Sequence, residues 1–337
     1  MRKKIKVKKI AILLNDNARN VNSSIKKQIE ELIPRNNIFY TKSLEEADAT
    51  IAKILNMDFT HVFTGGGDGT LVYFINKMKE IKREAKLKRK LPIVGVLKLG
   101  TGNAIAIYTN SGKKIADDVK TVIKGGRYKT QAVQFIKVDD QYFTFGGFGD
   151  DALILNDYDM MKRIKNPLLR WPFLGLKGYF TSGIFITFPK LLFRTKNSVK
   201  VYANTDKAYT VSKSKGIREL HIKKGDLIFE GEFTLLSMGT TSYYGYGLKI
   251  LPYASKKEGF FHLRISNIPT VLAVPKILQA WNGLYESSDT NDFLVDDVIL
   301  KFENPAPLQI AGDPAGYKEE VRLHLSEETV DFIQFKD

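Results

Sequence analysis

The chain has 337 residues, 43% hydrophobic and 26% charged, more than one hydrophobic core usually serves, so two folded domains are expected. It contains no cysteine, which excludes a disulfide scaffold and thiol catalysis, and its four histidines (His61, His221, His262, His324) lack metal-ligand spacing. With 52 Lys and Arg against 37 Asp and Glu, the net charge of +15 points to an anionic partner: nucleic acid, an acidic membrane surface or a phosphorylated substrate.

Arg2, Lys3, Lys4, Lys6, Lys8 and Lys9 crowd the start. Lys8–Leu14 then reads as a buried strand, because its apolar residues run together instead of alternating. The apolar stretch Ile10–Leu14 is too short for a signal-peptide core, and no run of about 18 apolar residues follows, so a cytoplasmic chain without a spanning helix is expected. Ser24–Ile33 has a helical apolar face closed by Pro34, and Ile38–Thr41 is a short strand. Ser43 and Glu46 form a capping box that opens a helix to about Leu55.

His61–Thr64 is a β-prone run that enters Gly65-Gly66-Gly67-Asp68-Gly69-Thr70 and leaves into a helix reaching the basic run Ile81–Lys90. Glycines between a strand and a helix leave peptide N–H groups free to converge on a phosphate, and the helix N-terminus adds its own. Asp68 suits either a cation bridging phosphates or a proton acceptor; the plainer alternative is a tight turn with Asp68 capping the next helix. Pro92–Leu97 is another buried strand, ending in Leu99-Gly100-Thr101-Gly102-Asn103 and a helix start at Ala104. Strands alternating with helices predict a parallel sheet covered on both faces, with Asn15, Gly65–Thr70 and Gly100–Asn103 at the strand ends where ligands bind.

After Lys124-Gly125-Gly126-Arg127 the pattern changes to short strands: Gln134–Val138, Tyr142–Phe145, Val199–Ala203, Tyr209–Ser214, Leu227–Phe229, Phe233–Met238 and Phe260–Ile265. These predict an antiparallel sheet or sandwich, with one helix at Val271–Leu284. Arg170–Leu192, aromatic-rich and broken by Lys177, Pro189 and Lys190, reads as a buried helix or an interfacial segment.

Thr64–Thr70 together with Leu99–Asn103 resembles the diacylglycerol kinase catalytic-domain family, which includes bacterial lipid kinases and the sphingosine and ceramide kinases. Asn15, Thr41, Gly146–Ala152, Tyr243–Gly259 and Ile310–Asp313 fall, in order, where the family has further motifs. The resemblance implies an α/β fold: a Rossmann-like N-terminal domain of the NAD kinase/diacylglycerol kinase type and an antiparallel β-sandwich C-terminal domain. The expected boundaries are 1–130, with a returning segment at about 318–337, for the nucleotide domain, and 131–317 for the lipid-substrate domain. It also implies ATP-dependent phosphorylation of a lipid hydroxyl with Mg2+. Asn15, Thr41, Thr64, Gly65, Gly66, Gly67, Asp68, Gly69, Thr70, Gly100, Thr101 and Asn103 would surround the nucleotide. Asp313, Asp68 and Asp151 are the implied catalytic carboxylates, with Asp313 as first candidate for general base. Asp68 and Glu258 are the candidate metal ligands.

Three departures stand out. Ala104 replaces the Asp that usually follows the family's Asn, Ala311-Gly312-Asp313 replaces Asp-Gly-Glu, and Lys256-Lys257-Glu258 replaces the acidic metal block. The expected partners are a lipid substrate and an anionic membrane surface, with peripheral attachment at its inner face; nucleic acid is not expected, since no aromatic-stacking motif accompanies the charge. A homodimer is compatible with these features. The alternatives are a soluble metabolite kinase of the NAD kinase type, against which the chain has no Asn-Glu pair, and a membrane-binding pseudokinase.

Overall fold

The computed structural model describes residues 9–162 apart from 19, and 164–166, 186, 196–268, 277–285 and 287–336. Residues Arg2–Lys8 of the basic start, Arg170–Leu192 apart from Ile186, and the first part of the expected helix Val271–Leu284 lie outside them. The chain divides into two units. The first comprises Met1–Gln134, Gly245–Gly247 and Glu327–Asp337; the second comprises Phe135–Tyr244 and Leu248–Ser326.

In the first unit β1 (Ile10–Asn15), β2 (Ile38–Thr41), β3 (His61–Gly66) and β4 (Ile93–Lys98) pair in parallel in the order β2-β1-β3-β4. The returning strand Val330–Phe335 adds beside β4 in parallel and pairs antiparallel with β5 (Tyr128–Val133), completing six strands. Helices α1 (Ser23–Glu30), α2 (Leu44–Asn56), α3 (Asp68–Glu84), α4 (Ala104–Tyr108) and α5 (Ile115–Ile123) follow in chain order.

Local chemistry sets the helix starts. Asn22 accepts from the Ile25 N–H ahead of α1, and Ser43 Oγ accepts from the Glu46 N–H ahead of α2. Glu46 Oε2 reaches back to the Lys42 N–H (2.7 Å), so the box closes one residue before the cap. Ile12, Leu14, Phe63, Leu97 and Ile333 are fully buried in the sheet beneath Ile29 of α1 and Val119 and Val122 of α5.

Two polar clasps hold the periphery. Tyr73 of α3 donates to Asp48 of α2 (2.5 Å), and burial first, then Asp48, pushes the phenol up to about 12. Lys79 Nζ donates to the Glu328 carbonyl (3.1 Å) and Lys82 Nζ to Glu328 Oε1 (3.0 Å), fixing the returning segment to α3. That segment starts at Glu327, later than residue 318, because 318–325 pair with another strand of the second unit.

The second unit is antiparallel. Its strands are β6 (Ile136–Val138), β7 (Gln141–Phe143), β8 (Phe145–Gly149), β9 (Asn197–Ala203), β10 (Ala208–Ser212), β11 (Gly216–Leu220), β12 (Leu227–Phe233), β13 (Leu235–Gly239), β14 (Phe261–Ser266), β15 (Thr290–Val295), β16 (Asp297–Ile310) and β17 (Asp313–Leu325). Helix α6 (Asp150–Lys162) follows β8, and α7 (Ile277–Trp281) is the described part of the expected later helix.

The twelve strands form one hydrogen-bonded path, β11-β10-β15-β14-β13-β8-β16-β17-β6-β7, with β9 joining β16 and β12. Strand β16 pairs with β9 along Val298–Phe302 and with β8 along Leu308–Ile310, and its register shifts between Lys301 and Ala306. Such a shift lets one strand pass from one layer of a sandwich to the other. Phe148, Phe302 and Phe233 pack at that crossing, with centroids 4.7 and 5.6 Å apart. Among the described residues no helix is long and apolar enough to cross a membrane.

Candidate active site

The parallel strands of the first unit end level. Asn15 is in register with Thr41, Leu14 with Gly65 and Gly66 with Lys98. Asn15 Nδ2 donates to Thr70 Oγ1 (3.0 Å) and Asn15 Oδ1 accepts from the Asn17 N–H (3.0 Å), so this side chain ties its own loop to the first turn of α3. Thr41 is buried at the end of β2, and its carbonyl accepts from the Asp16 N–H (2.9 Å).

The glycines serve close packing, and none of Gly65, Gly66, Gly67 or Gly69 has a positive φ. A Cβ on Gly65 would lie 2.9 Å from Leu99 Cδ1, and one on Gly66 2.6 Å from Thr70 Oγ1. On Gly100 it would collide with Gly67 Cα and lie 2.8 Å from the Gly66 carbonyl oxygen, so the two glycine loops pack backbone to backbone. Asn103, in the left-handed region at φ 54°, closes the second loop: its Oδ1 accepts from the Gly100 N–H (2.9 Å) and its Nδ2 donates to the Gly100 carbonyl (2.7 Å). Asn20 Nδ2 donates to the same carbonyl (3.2 Å). Gly100→Ala is therefore expected to cost about 1–3 kcal/mol, since backbone must move on both sides, and to weaken the shift of melting temperature by ATP.

Asp68 braces these loops. Its Oδ2 accepts from the Ala104 N–H (3.1 Å) and its Oδ1 from the Ile105 N–H (3.3 Å), so it caps α4 across the sheet edge. Ala104 is fully buried beneath that bond. Helix α3 has Gly67 in the cap position and no side-chain cap bond. The first amides of a helix lack intrahelical partners and carry its positive end, so the start of this 17-residue helix would attract an anion. Thr64 Oγ1, buried at the end of β3, has no hydrogen-bond partner. An uncapped helix start and an unsatisfied hydroxyl fit a phosphate chain. Thr101 is exposed, and Gly102 accepts from the Tyr246 N–H (2.7 Å).

The remaining candidates belong to the second unit. Asp151 lies in the first turn of α6, where Tyr244 Oη donates to its Oδ2, and Gln309 Nε2 donates to the same oxygen (3.2 Å) and to Tyr244 Oη. Burial is the largest influence on Asp151 and pushes its carboxyl up to about 6, against the pull of those donors. A Cβ on Gly147 would collide with Tyr244 Oη, which explains glycine there.

Asp313 is exposed as the first residue of β17, after a two-residue turn with Ala311 at φ 52° and Gly312 at φ 85°. Two consecutive left-handed residues make the type I′ hairpin turn. Glu258 is exposed in a turn, and among the described residues no three His, Asp or Glu side chains group to hold a metal ion.

The structure thus brings Asn15, Thr41, Thr64, Gly65, Gly66, Gly67, Asp68, Gly69, Thr70, Gly100, Thr101 and Asn103 to one sheet edge of the first unit. Asp151, Glu258 and Asp313 are in the second. Tyr244 and Gln309 escaped the sequence reading; the one available signal was a lone polar residue between Leu308 and Ile310 in an apolar strand. The buried cluster His262–Asp292–Arg264 was missed too. Arg264 donates to Asp292 through Nε (2.7 Å) and Nη2 (2.9 Å), and His262 Nε2 lies 2.8 Å from the same carboxylate.

Residues 9–135 match the profile of the diacylglycerol kinase catalytic domain. The chain is 22% identical to the "Probable lipid kinase YegS-like" of Alcanivorax borkumensis over 80% of its own length and 77% of that protein. It is 23% identical to the diacylglycerol kinase of Staphylococcus saprophyticus over 67% of its length and 61% of that enzyme. A solved diacylglycerol kinase from Bacillus anthracis superimposes with a TM-score of 0.64 at 15% identity, covering 99% of this chain and 98% of that one, and so shares its fold. The catalytic-domain match lies over β1–β4 and both glycine loops, so residues 9–135 are similar to a diacylglycerol kinase catalytic domain, and the chain as a whole is similar to bacterial lipid kinases.

Proposed function

We propose that the protein transfers the γ-phosphoryl group of ATP to the hydroxyl of a membrane lipid: diacylglycerol, ceramide or a sphingoid base. The observation that carries this reading is the uncapped start of α3, seated against a second glycine loop and braced to it by Asp68. The amides of Gly67, Asp68, Gly69 and Thr70 would hold the phosphates, with Thr64, Thr41 and Asn15 beside them. Mg2+ would arrive with the nucleotide, held mainly by phosphate oxygens, and would neutralise charge on the transferred group. Asp68 serves first as the brace between loops, and its carboxylate would face such a cation. Asp313, exposed on its turn, would accept the proton of the lipid hydroxyl as the new O–P bond forms and ADP leaves.

Attachment to an anionic leaflet is supported by the basic run after α3. Arg83, Lys86, Lys88 and Lys90 are exposed there, whereas Lys82 and Arg89 pair with Glu328 and Asp58. Near an anionic surface each exposed Lys or Arg is worth about 1 kcal/mol. Binding to vesicles rich in anionic lipid is expected to fall steeply as salt rises; a salt-independent failure to bind them would remove the peripheral placement. The function itself is tested by labelled phosphate transfer from ATP in mixed micelles to diacylglycerol, ceramide, sphingosine and, as a soluble control, NAD. Transfer to a lipid is expected. Transfer to NAD alone, or to none of them, would contradict the reading.

A further inference from the structure

Gln309 uses both ends of its side-chain amide in the second unit's candidate site. It is 1% exposed on β16, opposite Gly147 of β8. Its Nε2 donates to Asp151 Oδ2 (3.2 Å) and to Tyr244 Oη, while its Oε1 accepts from the Gly312 N–H (2.9 Å). A backbone N–H can only donate, which fixes the amide with Oε1 toward the turn and Nε2 toward the carboxylate. The turn is anchored a second time by the Ala311 N–H, which donates to the Phe145 carbonyl (3.0 Å). Ala311 is held in a left-handed conformation that a non-glycine residue adopts at a cost, so something must hold the turn in that shape.

We propose that Gln309 is a positioning residue that couples Asp151 to the Ala311–Gly312 turn, so that the conformation presenting Asp313 depends on the state of the Asp151 carboxylate. The idea rests on the kinase reading for its consequence and not for its geometry. The charged form of Asp151 draws both Nε2 and the Tyr244 hydroxyl toward Oδ2; protonation weakens that pull and loosens the grip of Oε1 on the turn amide. The ionisable groups acting on Asp151 are Tyr244 and Asp150, and Tyr244 stays protonated because burial and the adjacent carboxylate push its phenol well above the ordinary value.

The test follows the Gly312 amide signal by NMR against pH, in the full chain and in Gln309→Met and Gln309→Glu. In the native protein this signal is expected to titrate together with the Asp151 carboxyl, and in Gln309→Met the amide is expected to fall silent while Asp151 still titrates. A native Gly312 signal that ignores Asp151, or one that still follows it in Gln309→Met, would overturn the coupling whether or not the protein phosphorylates a lipid. For catalysis, Gln309→Met is expected to lower kcat by on the order of 10²-fold with KM for ATP unchanged, as a misplaced turn would. Gln309→Glu places two carboxyl groups together, so one must hold a proton, and its activity is expected to recover as pH falls. Should Gln309→Met fail to fold, Gln309→Glu decides alone: a pH profile identical to the native one would contradict the proposal.

Discussion

Asp68→Ala is expected to reduce kcat/KM for ATP by roughly 10²–10³-fold and to lower the melting temperature at the same time. The substitution removes the acceptor for the Ala104 and Ile105 amides, and each buried donor left unsatisfied costs about 1–3 kcal/mol. Those amides start α4, and the loop before it packs on the Gly66–Gly67 backbone, so losing the brace lets both halves of the phosphate cradle move. Asp68→Asn separates the brace from the charge. It retains one of the two acceptor oxygens and nearly the same shape, so melting should recover part of the way to the native value while turnover stays low. Steady-state kinetics over ATP concentration and thermal unfolding of the two variants check this. Native turnover in Asp68→Ala would show that neither role matters.

Arg264→Leu is expected to destabilise the protein by about 3–5 kcal/mol, the cost of leaving a buried carboxylate without its bidentate partner. Arg264 and His262 are 2% and 0% exposed, and the Asp292 side chain only 7%. Burial alone would raise the Asp292 carboxyl, but the hydrogen bonds from Arg264 and His262 outweigh it and hold the group down at about 2. A depressed carboxyl contributes stability that is present above its unfolded value of about 3.9 and is lost as pH falls through the folded one. Native acid unfolding tied to this cluster should therefore extend toward pH 2, and that of Arg264→Leu should begin closer to pH 4. His262 works in the same sense: burial lowers its pKa, so the folded protein takes up this proton only against desolvation while the unfolded chain takes it freely, and stability again falls as the medium turns acidic. Urea midpoints at neutral and acid pH measure both effects, and ATP binding by the first unit should survive at neutral pH.

The parts of the fold that were legible were those whose physics is local. β1 and β4 are covered on both faces, so they appear as near-continuous apolar runs, and the Ser43–Glu46 box announces α2 within four residues. The glycine loops announced the sheet edge, although through the need for close packing and not for left-handed backbone. What stayed hidden was non-local. The β16–β17 hairpin contains Pro305 and Pro307, which argue against a strand, and bulges at those positions accommodate them. The Asp68 bonds to Ala104 and Ile105 join separate loops, so no reading of the turn alone could decide between cap and cation ligand. Gln309 and Tyr244 meet Asp151 only because β16 and the segment after β13 converge on β8. A buried polar side chain in an apolar strand is the single trace such a network leaves in sequence.

The central claim is that the open start of α3 grips the phosphates of ATP. The most direct measurement is a titration of ATP into 15N-labelled protein, following the backbone amides of Gly67, Asp68, Gly69 and Thr70. The account predicts that these four signals shift together and saturate, and that they cease to respond in Asp68→Ala. If the protein binds ATP while these amides remain unmoved, or binds none at all, the nucleotide site lies elsewhere or does not exist.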